Sequence, residues 1–136
     1  MSRETLLDQF SKLWRFAIVG GLAFIVDAGG MQALILSGVD PYLARAISLP
    51  LAMLAAYGMN RHYTFGASGR SQAEEMLRYV FVTAIASLTN YGVFAVLLIH
   101  VEGIWPLIAA ALGLGVSMWV SFFGFQFFAF AARKRV

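Results

Sequence analysis

The chain has 136 residues, of which 60% are hydrophobic and only 12% are charged, and its formal net charge is +3. Soluble domains are about half apolar, so this chain has too few polar residues to cover a surface that faces water. It contains no cysteine, which excludes disulfides, thiol catalysis and thiolate metal sites. The composition predicts an integral membrane protein, and nothing in it indicates a metal centre or another cofactor.

Four apolar segments follow one another along the chain, and they predict four transmembrane helices. The segments lie near residues 15–37, 41–60, 78–100 and 105–130. Each is long enough to cross a bilayer core of about 30 Å as a helix that rises about 1.5 Å per residue. The predicted fold is therefore all-α, integral to the membrane and multi-pass, with two tandem helical hairpins.

The N-terminal segment places apolar side chains at helical spacing, with charged residues on the rest of the helical wheel. This pattern is typical of an interfacial helix that runs into the first transmembrane segment. An ordinary flanking extension is the alternative interpretation. We therefore divide the chain into an interfacial helix, residues 1–14, and a four-helix transmembrane domain, residues 15–136.

The transmembrane domain contains two copies of one helical hairpin, residues 15–65 and 78–130. The copies align at an offset of 63 residues before the loop that joins their two helices, and of 65 residues after it. The matched positions include Arg15 and Arg78, Asp27 and Asn90, Pro41 and Pro106, and Phe65 and Phe130. Because each copy has an even number of spans, we expect both copies to point the same way in the membrane.

Small residues recur at every fourth position in the second and fourth helices. The two series are Ala44, Ser48, Ala52 and Ala56, and Ala109, Gly113, Ser117 and Ser121. Such series let helix backbones approach closely, and we expect these two helices to pack through them, within the chain or between chains. Since four helices enclose little volume for a large substrate, we also expect a homo-oligomer.

Basic residues are distributed unevenly between the two sides of the predicted topology. Nine of the ten lie before the first span, between the second and third spans, or after the fourth, and Arg45 is the exception. Because Lys and Arg favour cytoplasmic segments, we predict a protein of the cytoplasmic (inner) membrane with both termini in the cytoplasm. The same charges attract anionic membrane lipid. No basic stripe continues along one element, so nucleic-acid binding is not expected.

Asp27 is the first candidate site residue, because it lies about 16 Å along the first helix from Phe16, close to the bilayer midplane. A bare charge at that depth costs several kcal/mol, so Asp27 must be protonated, paired or in contact with water. Arg45 enters the membrane from the opposite face, and we predict an Asp27–Arg45 pair if Asp27 faces the protein interior. The alternatives are a purely structural Asp27, and an Arg45 that reaches back to the outer interface.

Three further arginines, Arg15, Arg61 and Arg78, are expected to form a basic collar on the cytoplasmic side. Asn60 adds an amide beside Arg61, and a guanidinium with neighbouring donors suits a phosphate group. For Arg15 and Arg78 taken separately, the general preference of basic residues for the cytoplasmic side is the simpler explanation. The sequence has no Ser/His/Asp set, no paired carboxylates and no phosphate-binding glycine loop, so we do not expect an enzyme.

The motifs of the first copy resemble those of the GtrA-like family, and the resemblance extends from about residue 14 to residue 130. The matching motifs are Arg15-Phe16-x-x-Val19-Gly20-Gly21, Asp27 within the first helix, Asp40-Pro41 at the turn, and Asn60-Arg61-x-x-Thr64-Phe65. The resemblance implies a small four-helix protein that moves a polyprenyl-phosphate-linked sugar, typically undecaprenyl-phosphate-glucose, across the membrane for cell-surface polysaccharide synthesis. It also implies a glycosyltransferase partner. The family motif carries over onto Asp27, Asn60, Arg61, Thr64 and Phe65.

The second copy departs from this motif, because Asn60 and Arg61 fall on Phe125 and Gln126. A symmetric pair of phosphate sites is therefore not expected, although Asp27 and Asn90 lie at the depth where sugar hydroxyls would pass. Two functions remain open, a translocase and a non-transporting accessory subunit that anchors or regulates a glycosyltransferase. A drug exporter of dual topology is disfavoured, since insertion in both orientations requires a weak charge bias.

Overall fold

The computed structural model describes residues 2–134, without the side chains of Tyr42, Pro106 and Leu107. Residues 1, 135 and 136, at the outer ends of the two predicted domains, lie outside this range. The elements are α1 (Arg3–Leu36), α2 (Pro41–Met59), a first π-helical segment (Asn60–Thr64), α3 (Gln72–His100), α4 (Pro106–Gly124) and a second π-helical segment (Phe125–Ala129). The predicted all-α fold is confirmed, since residues 2–134 contain no strand.

The chain divides into two compact units, which we name hairpin 1 (Met1–Gly66) and hairpin 2 (Ala67–Val136). Hairpin 1 contains α1, α2 and the first π segment, and hairpin 2 contains α3, α4 and the second π segment. The two π segments begin 65 residues apart, which is the offset at which the second helices of the two copies align. In hairpin 1, α1 runs without a break through the segment assigned to an interfacial helix and on into the first apolar segment.

Polar caps and prolines determine where the helices begin. Asp40 precedes α2, and its carboxylate accepts a hydrogen bond from the amide of Leu43 at 3.1 Å. Pro41 occupies the first helical position, where the missing N–H would have no intrahelical partner in any case. Ser71 caps α3 by accepting a hydrogen bond from the amide of Glu74 at 3.3 Å. These signals are readable in the sequence, and the helices begin where they predict.

Matching positions in the two hairpins are buried alike. The buried pairs are Val19 and Val82, Ala44 and Ala109, Ala52 and Ser117, Tyr57 and Phe122, and Thr64 and Ala129. In each hairpin a narrow face of the second helix, built largely from small side chains, is therefore removed from the surface. The sequence repeat corresponds to a repeat in which side chains are buried.

Large apolar side chains cover the outside of the helices. Phe24, Ile25, Leu88 and Ile99 are each at least 65% exposed, which is the arrangement expected where lipid rather than water surrounds the protein. Within the described residues, three helices are long and apolar enough to cross a membrane. They are Arg3–Leu36, Gln72–His100 and Ile108–Ala129. The remaining helix, α2, is shorter and carries the charge of Arg45.

Candidate functional site

A polar cluster lies in hairpin 1, in the apolar part of α1. Asp27 is 8% exposed, and both of its carboxylate oxygens accept hydrogen bonds from α2. The hydroxyl of Ser48 donates to Oδ1 at 2.8 Å, and Nη1 of Arg45 donates to Oδ2 in an ion pair. The structure thus contains the Asp27–Arg45 pair that we predicted, and Ser48 completes it.

The two charged partners of this cluster differ in exposure. The side chain of Arg45 is 52% exposed, whereas that of Asp27 is 12% exposed. The carboxylate is therefore the desolvated partner, and its charge is tolerated there because Arg45 and Ser48 replace the lost water. About half of the Arg45 side chain remains exposed. The cluster offers acceptors and donors together, which is the combination that the hydroxyl groups of a sugar require.

Ser48 is a member of the cluster that the sequence analysis assigned only to packing. It is 1% exposed, and a Cβ atom placed on Gly30 of α1 would lie 3.7 Å from the Ser48 Cβ. Its small side chain therefore lets the two helices come close, and its hydroxyl is aimed at Asp27. The sequence did contain a signal: Ser48 follows Arg45 by three residues, which places both on the same face of a helix.

Hairpin 2 has no charged residue at the matching positions. Asp27, Arg45 and Ser48 correspond to Asn90, Ala110 and Gly113. A Cβ atom on Gly113 would lie 2.7 Å from both the backbone and the side-chain oxygen of Asn90, so α3 and α4 approach too closely for a side chain there. At Ser48 and Gly113 the small-residue series therefore face the other helix of their own hairpin. Packing of α2 against α4, within the chain or between chains, stays a prediction.

Each hairpin ends in a π-helical segment that receives a hydrogen bond from an arginine of its first helix. Nη1 of Arg15 donates to the carbonyl of Tyr63 at 3.2 Å, and Nη1 of Arg78 donates to the carbonyl of Phe128 at 3.3 Å. Arg78 also pairs with Glu74 at 3.2 Å, and its guanidinium lies 4.6 Å from the centre of the Phe128 ring. The two arginines that we predicted beside a phosphate thus each bind a backbone carbonyl at the end of a helix, where cations are favoured.

Aromatic pairs flank these arginines at matching positions. The ring centres are 6.1 Å apart for Phe16 and Phe65, and 6.0 Å apart for Tyr79 and Phe130. Each pair joins the residue after the arginine to the residue that follows the π segment. The end of the second helix is therefore fixed to the first helix in the same way in both hairpins.

The predicted Asn60-Arg61 pair lies at the start of the first π segment. Asn60 is 2% exposed, whereas Arg61 is half-buried. Thr64, in the same segment, is 5% exposed. Within the part of the chain that the structure describes, Oδ1 of Asn60 and Oγ1 of Thr64 are buried and have no hydrogen-bond partner, and the same holds for Oε1 of Gln126 in hairpin 2. The first π segment thus carries a guanidinium beside two buried polar groups.

A second polar cluster, which the sequence analysis missed, lies at the start of α3. Glu75 is fully buried, and its Oε2 accepts hydrogen bonds from the amide and the hydroxyl of Ser68 at 2.9 and 2.5 Å. The carbonyl of Ser68 accepts from the amide of Arg133 at 2.9 Å, and Arg70 donates to the carbonyl of Ala131. These bonds attach the loop before α3 to the C-terminal segment of the same hairpin.

A comparison with protein families matches the chain to the model described as GtrA/DPMS, transmembrane domain, over residues 15–130. The match begins at Arg15 of hairpin 1 and ends directly after the second π segment, so it covers most of both hairpins. No curated protein matches the chain in sequence. The matched family is a membrane domain rather than a catalytic domain by itself, and it connects the chain with lipid-linked sugar processes. The chain is a membrane protein that belongs to the GtrA/DPMS transmembrane-domain family, as the resemblance of its motifs predicted.

Proposed function

We propose that the chain translocates a polyprenyl-phosphate-linked sugar across the cytoplasmic membrane. The observation that carries the proposal is the desolvated carboxylate of Asp27, bound by Arg45 and Ser48 within an apolar helix. Charged groups at membrane depth are costly, and they commonly mark the path of a polar substrate. The matching region of hairpin 2 forms a close helix pair from uncharged residues, so helix pairing alone does not require the charges.

The proposed topology has four spans, with both termini and the loop between the hairpins in the cytoplasm. The positive-inside distribution of arginine and lysine supports it, since Arg45 alone lies toward the outer side. With this orientation the first π segment lies at the cytoplasmic end of α2. Asp27 lies further along the path, roughly 16 Å from Phe16 at 1.5 Å per residue.

In the proposed mechanism, the lipid phosphate first meets Arg61 with the amide of Asn60, because a charge-assisted contact suits an anion at the headgroup level. The sugar then passes Asp27 and Arg45, which exchange part of their mutual hydrogen bonding for bonds to its hydroxyl groups. Asn90 is proposed as an uncharged contact for the sugar in hairpin 2. Arg15 and Arg78 are proposed to meet the phosphate while they hold the π segments. The polyprenyl tail stays in lipid throughout.

An accessory role is the second candidate function. Both oxygens of Asp27 already have partners within hairpin 1, which is also what a purely structural ion pair would show. The matched family is moreover a transmembrane domain without catalytic function of its own. In this alternative, the chain anchors or regulates a polyprenyl-phosphate glycosyltransferase and moves no lipid itself.

Outer-surface glycosylation in cells that carry variants of the chain separates the two functions. For a translocase, Asp27→Asn is expected to reduce the sugar attached outside, and Arg61→Ala is expected to weaken lipid-phosphate binding. The controls are the amount of protein in the membrane and co-purification of the glycosyltransferase. Normal glycosylation in both variants, with the partner still bound, would exclude translocation and leave the accessory role. Reporter fusions test the topology, and an outer location for residue 70 would contradict it.

A further inference from the structure

We infer that the first π segment contains a subsite for a hydroxyl group, formed by Thr64 and the carboxamide oxygen of Asn60. The inference rests on the proposed function and deepens it, because it assigns the sugar, and not only the phosphate, a contact in this segment. The two side chains are four residues apart and are 5% and 2% exposed. Neither Oγ1 nor Oδ1 has a hydrogen-bond partner in the described chain.

Unpaired buried oxygens of this kind need a reason, because each gives up hydrogen bonds to water without receiving another. Three hydroxyls of α3 show a usual solution. Thr83, Ser87 and Thr89 of α3 each donate to the carbonyl four residues earlier, at 2.8 to 2.9 Å. Thr64 also lies in a helical segment but makes no such bond. Its hydroxyl is therefore left for a partner from outside the chain.

Hairpin 2 shows that the π segment itself does not require these polar groups. At the positions of Asn60 and Thr64 it carries Phe125 and Ala129, and the segment keeps the same length and the same closing bond. Phe125 is buried and stacks on Tyr79, with ring centres 4.3 Å apart. The fold thus accepts apolar side chains at both places. We therefore assign the polar pair of hairpin 1 to binding rather than to folding. Gln126, whose oxygen is also buried and unpaired, lies at the position of Arg61 and not at that of either member of the pair.

The chemistry of the pair indicates the ligand class. A threonine hydroxyl can donate and accept, whereas an amide oxygen only accepts. Together they match a ligand hydroxyl that donates to the amide oxygen of Asn60 and accepts a hydrogen bond from the hydroxyl of Thr64. Arg61 follows Asn60 directly and is proposed to bind the phosphate. A sugar attached to a phosphate therefore brings its hydroxyls to this pair. A glycerol headgroup, as in phosphatidylglycerol, offers the same chemistry from a different source.

The test compares Thr64→Val with wild type in phosphatidylcholine nanodiscs, which contain no competing hydroxyl donor. The probes are a polyprenyl phosphate, the same lipid carrying a hexose, and phosphatidylglycerol. Thr83→Val is the matched control, since it removes a hydroxyl that already has a partner. We expect Thr64→Val to weaken binding of the hexose-bearing lipid about fivefold, the effect of one neutral hydrogen bond. Binding of the bare lipid should stay unchanged, and the lipid-free variant should unfold at the same or a higher temperature.

Unchanged binding of the hexose-bearing lipid, or a lower unfolding temperature with equal loss of both polyprenyl lipids, would overturn the subsite and make Thr64 structural. An effect confined to phosphatidylglycerol would overturn the assignment to the sugar. If wild type binds neither polyprenyl lipid, the proposed function is contradicted, and so is the subsite that rests on it. Wild type that binds both polyprenyl lipids, with no effect of Thr64→Val, would overturn the subsite alone.

Discussion

Hairpins 1 and 2 close their ends with the same contacts, whereas the middles of their helices use different chemistry. At the ends, Arg15 and Arg78 make equivalent bonds to the backbone of a π segment. In the middle, hairpin 1 joins α1 to α2 through the charged group of Asp27, and hairpin 2 places Asn90 against a glycine. The two helices of a hairpin can therefore pair with or without charges at these matching positions. The charges of hairpin 1 need an explanation other than pairing.

The two hairpins also place glycine on opposite helices at these contacts. In hairpin 1 Gly30 of the first helix faces Ser48, at an ordinary distance from a built Cβ atom. In hairpin 2 Gly113 of the second helix faces Asn90, with no room for a Cβ atom. Hairpin 2 is thus closed by direct backbone contact. Hairpin 1 keeps space for side chains, and that space holds its polar cluster.

Removal of the cation from hairpin 1 should produce the largest effect on stability. Arg45→Ala leaves the carboxylate of Asp27 desolvated without a countercharge, and breaking a buried pair in this way costs roughly 3–5 kcal/mol. We expect a value near the lower limit, because Arg45 is half exposed. Thermal unfolding in mild detergent measures the loss. The double variant Asp27→Asn/Arg45→Gln removes both charges and should recover most of the stability. If it is as unstable as Arg45→Ala, the loss does not come from an unpaired Asp27 carboxylate.

Alanine at Gly113, where α4 approaches the backbone of α3, should have the next largest effect. In Gly113→Ala the new Cβ atom meets a backbone oxygen of α3 at 2.7 Å, and overpacking of this kind costs about 1–3 kcal/mol. Gly30→Ala is the matched change in hairpin 1. Its Cβ atom would meet Ser48 at 3.7 Å, and alanine favours the helix by up to about 1 kcal/mol over glycine. Unfolding temperatures should fall for the first variant and stay level or rise for the second. The reverse order would contradict the closer approach of the two helices in hairpin 2.

Loss of the arginines that bind the π segments should have the smallest effect, and the two hairpins should differ. Arg78→Ala removes an ion pair with Glu74, a hydrogen bond to the Phe128 carbonyl and a ring contact. Arg15→Ala removes one exposed hydrogen bond. We expect about 1 kcal/mol for Arg78 and a few tenths for Arg15. Hydrogen exchange at the amides of Phe65 and Phe130, which close the π segments, reports each loss locally, and equal protection in both variants would contradict the difference.

Features set by periodicity and charge were predictable from the sequence. The helices, their caps and the Asp27–Arg45 pair follow from spacing, proline position and the cost of an isolated charge in a membrane. Ser48 was assigned only to packing, since a serine in a small-residue series fits that role equally well. It acquires a polar role only because its hydroxyl meets Asp27 at 2.8 Å.

The π segments were not predictable, and they determine the orientation of the side chains that follow Asn60 and Phe125. A π turn holds more residues than an α turn, so every side chain after it is rotated relative to an α-helical expectation. Asn60, the first residue of the segment, is buried, and the sequence analysis did not foresee this when it placed the Asn60 amide beside Arg61. The bonds from Arg15 and Arg78 to backbone carbonyls depend on the same turn. The cluster of Glu75 and Ser68 depends on a loop path that periodicity does not encode.

The central claim is that hairpin 1 moves a lipid-linked sugar by means of its charge pair. The direct measurement is translocation of a polyprenyl-phosphate-linked sugar in proteoliposomes that contain only this chain. Asp27→Asn/Arg45→Gln is compared with wild type, and Ser117→Ala, which gives hairpin 2 the residue that hairpin 1 carries at Ala52, is the control. We predict that wild type and Ser117→Ala move the lipid equally fast, and that the double variant is folded but slower by roughly 10–100-fold, the loss of charge-assisted hydrogen bonds. A double variant as fast as wild type, or wild type no faster than protein-free vesicles, would contradict the claim.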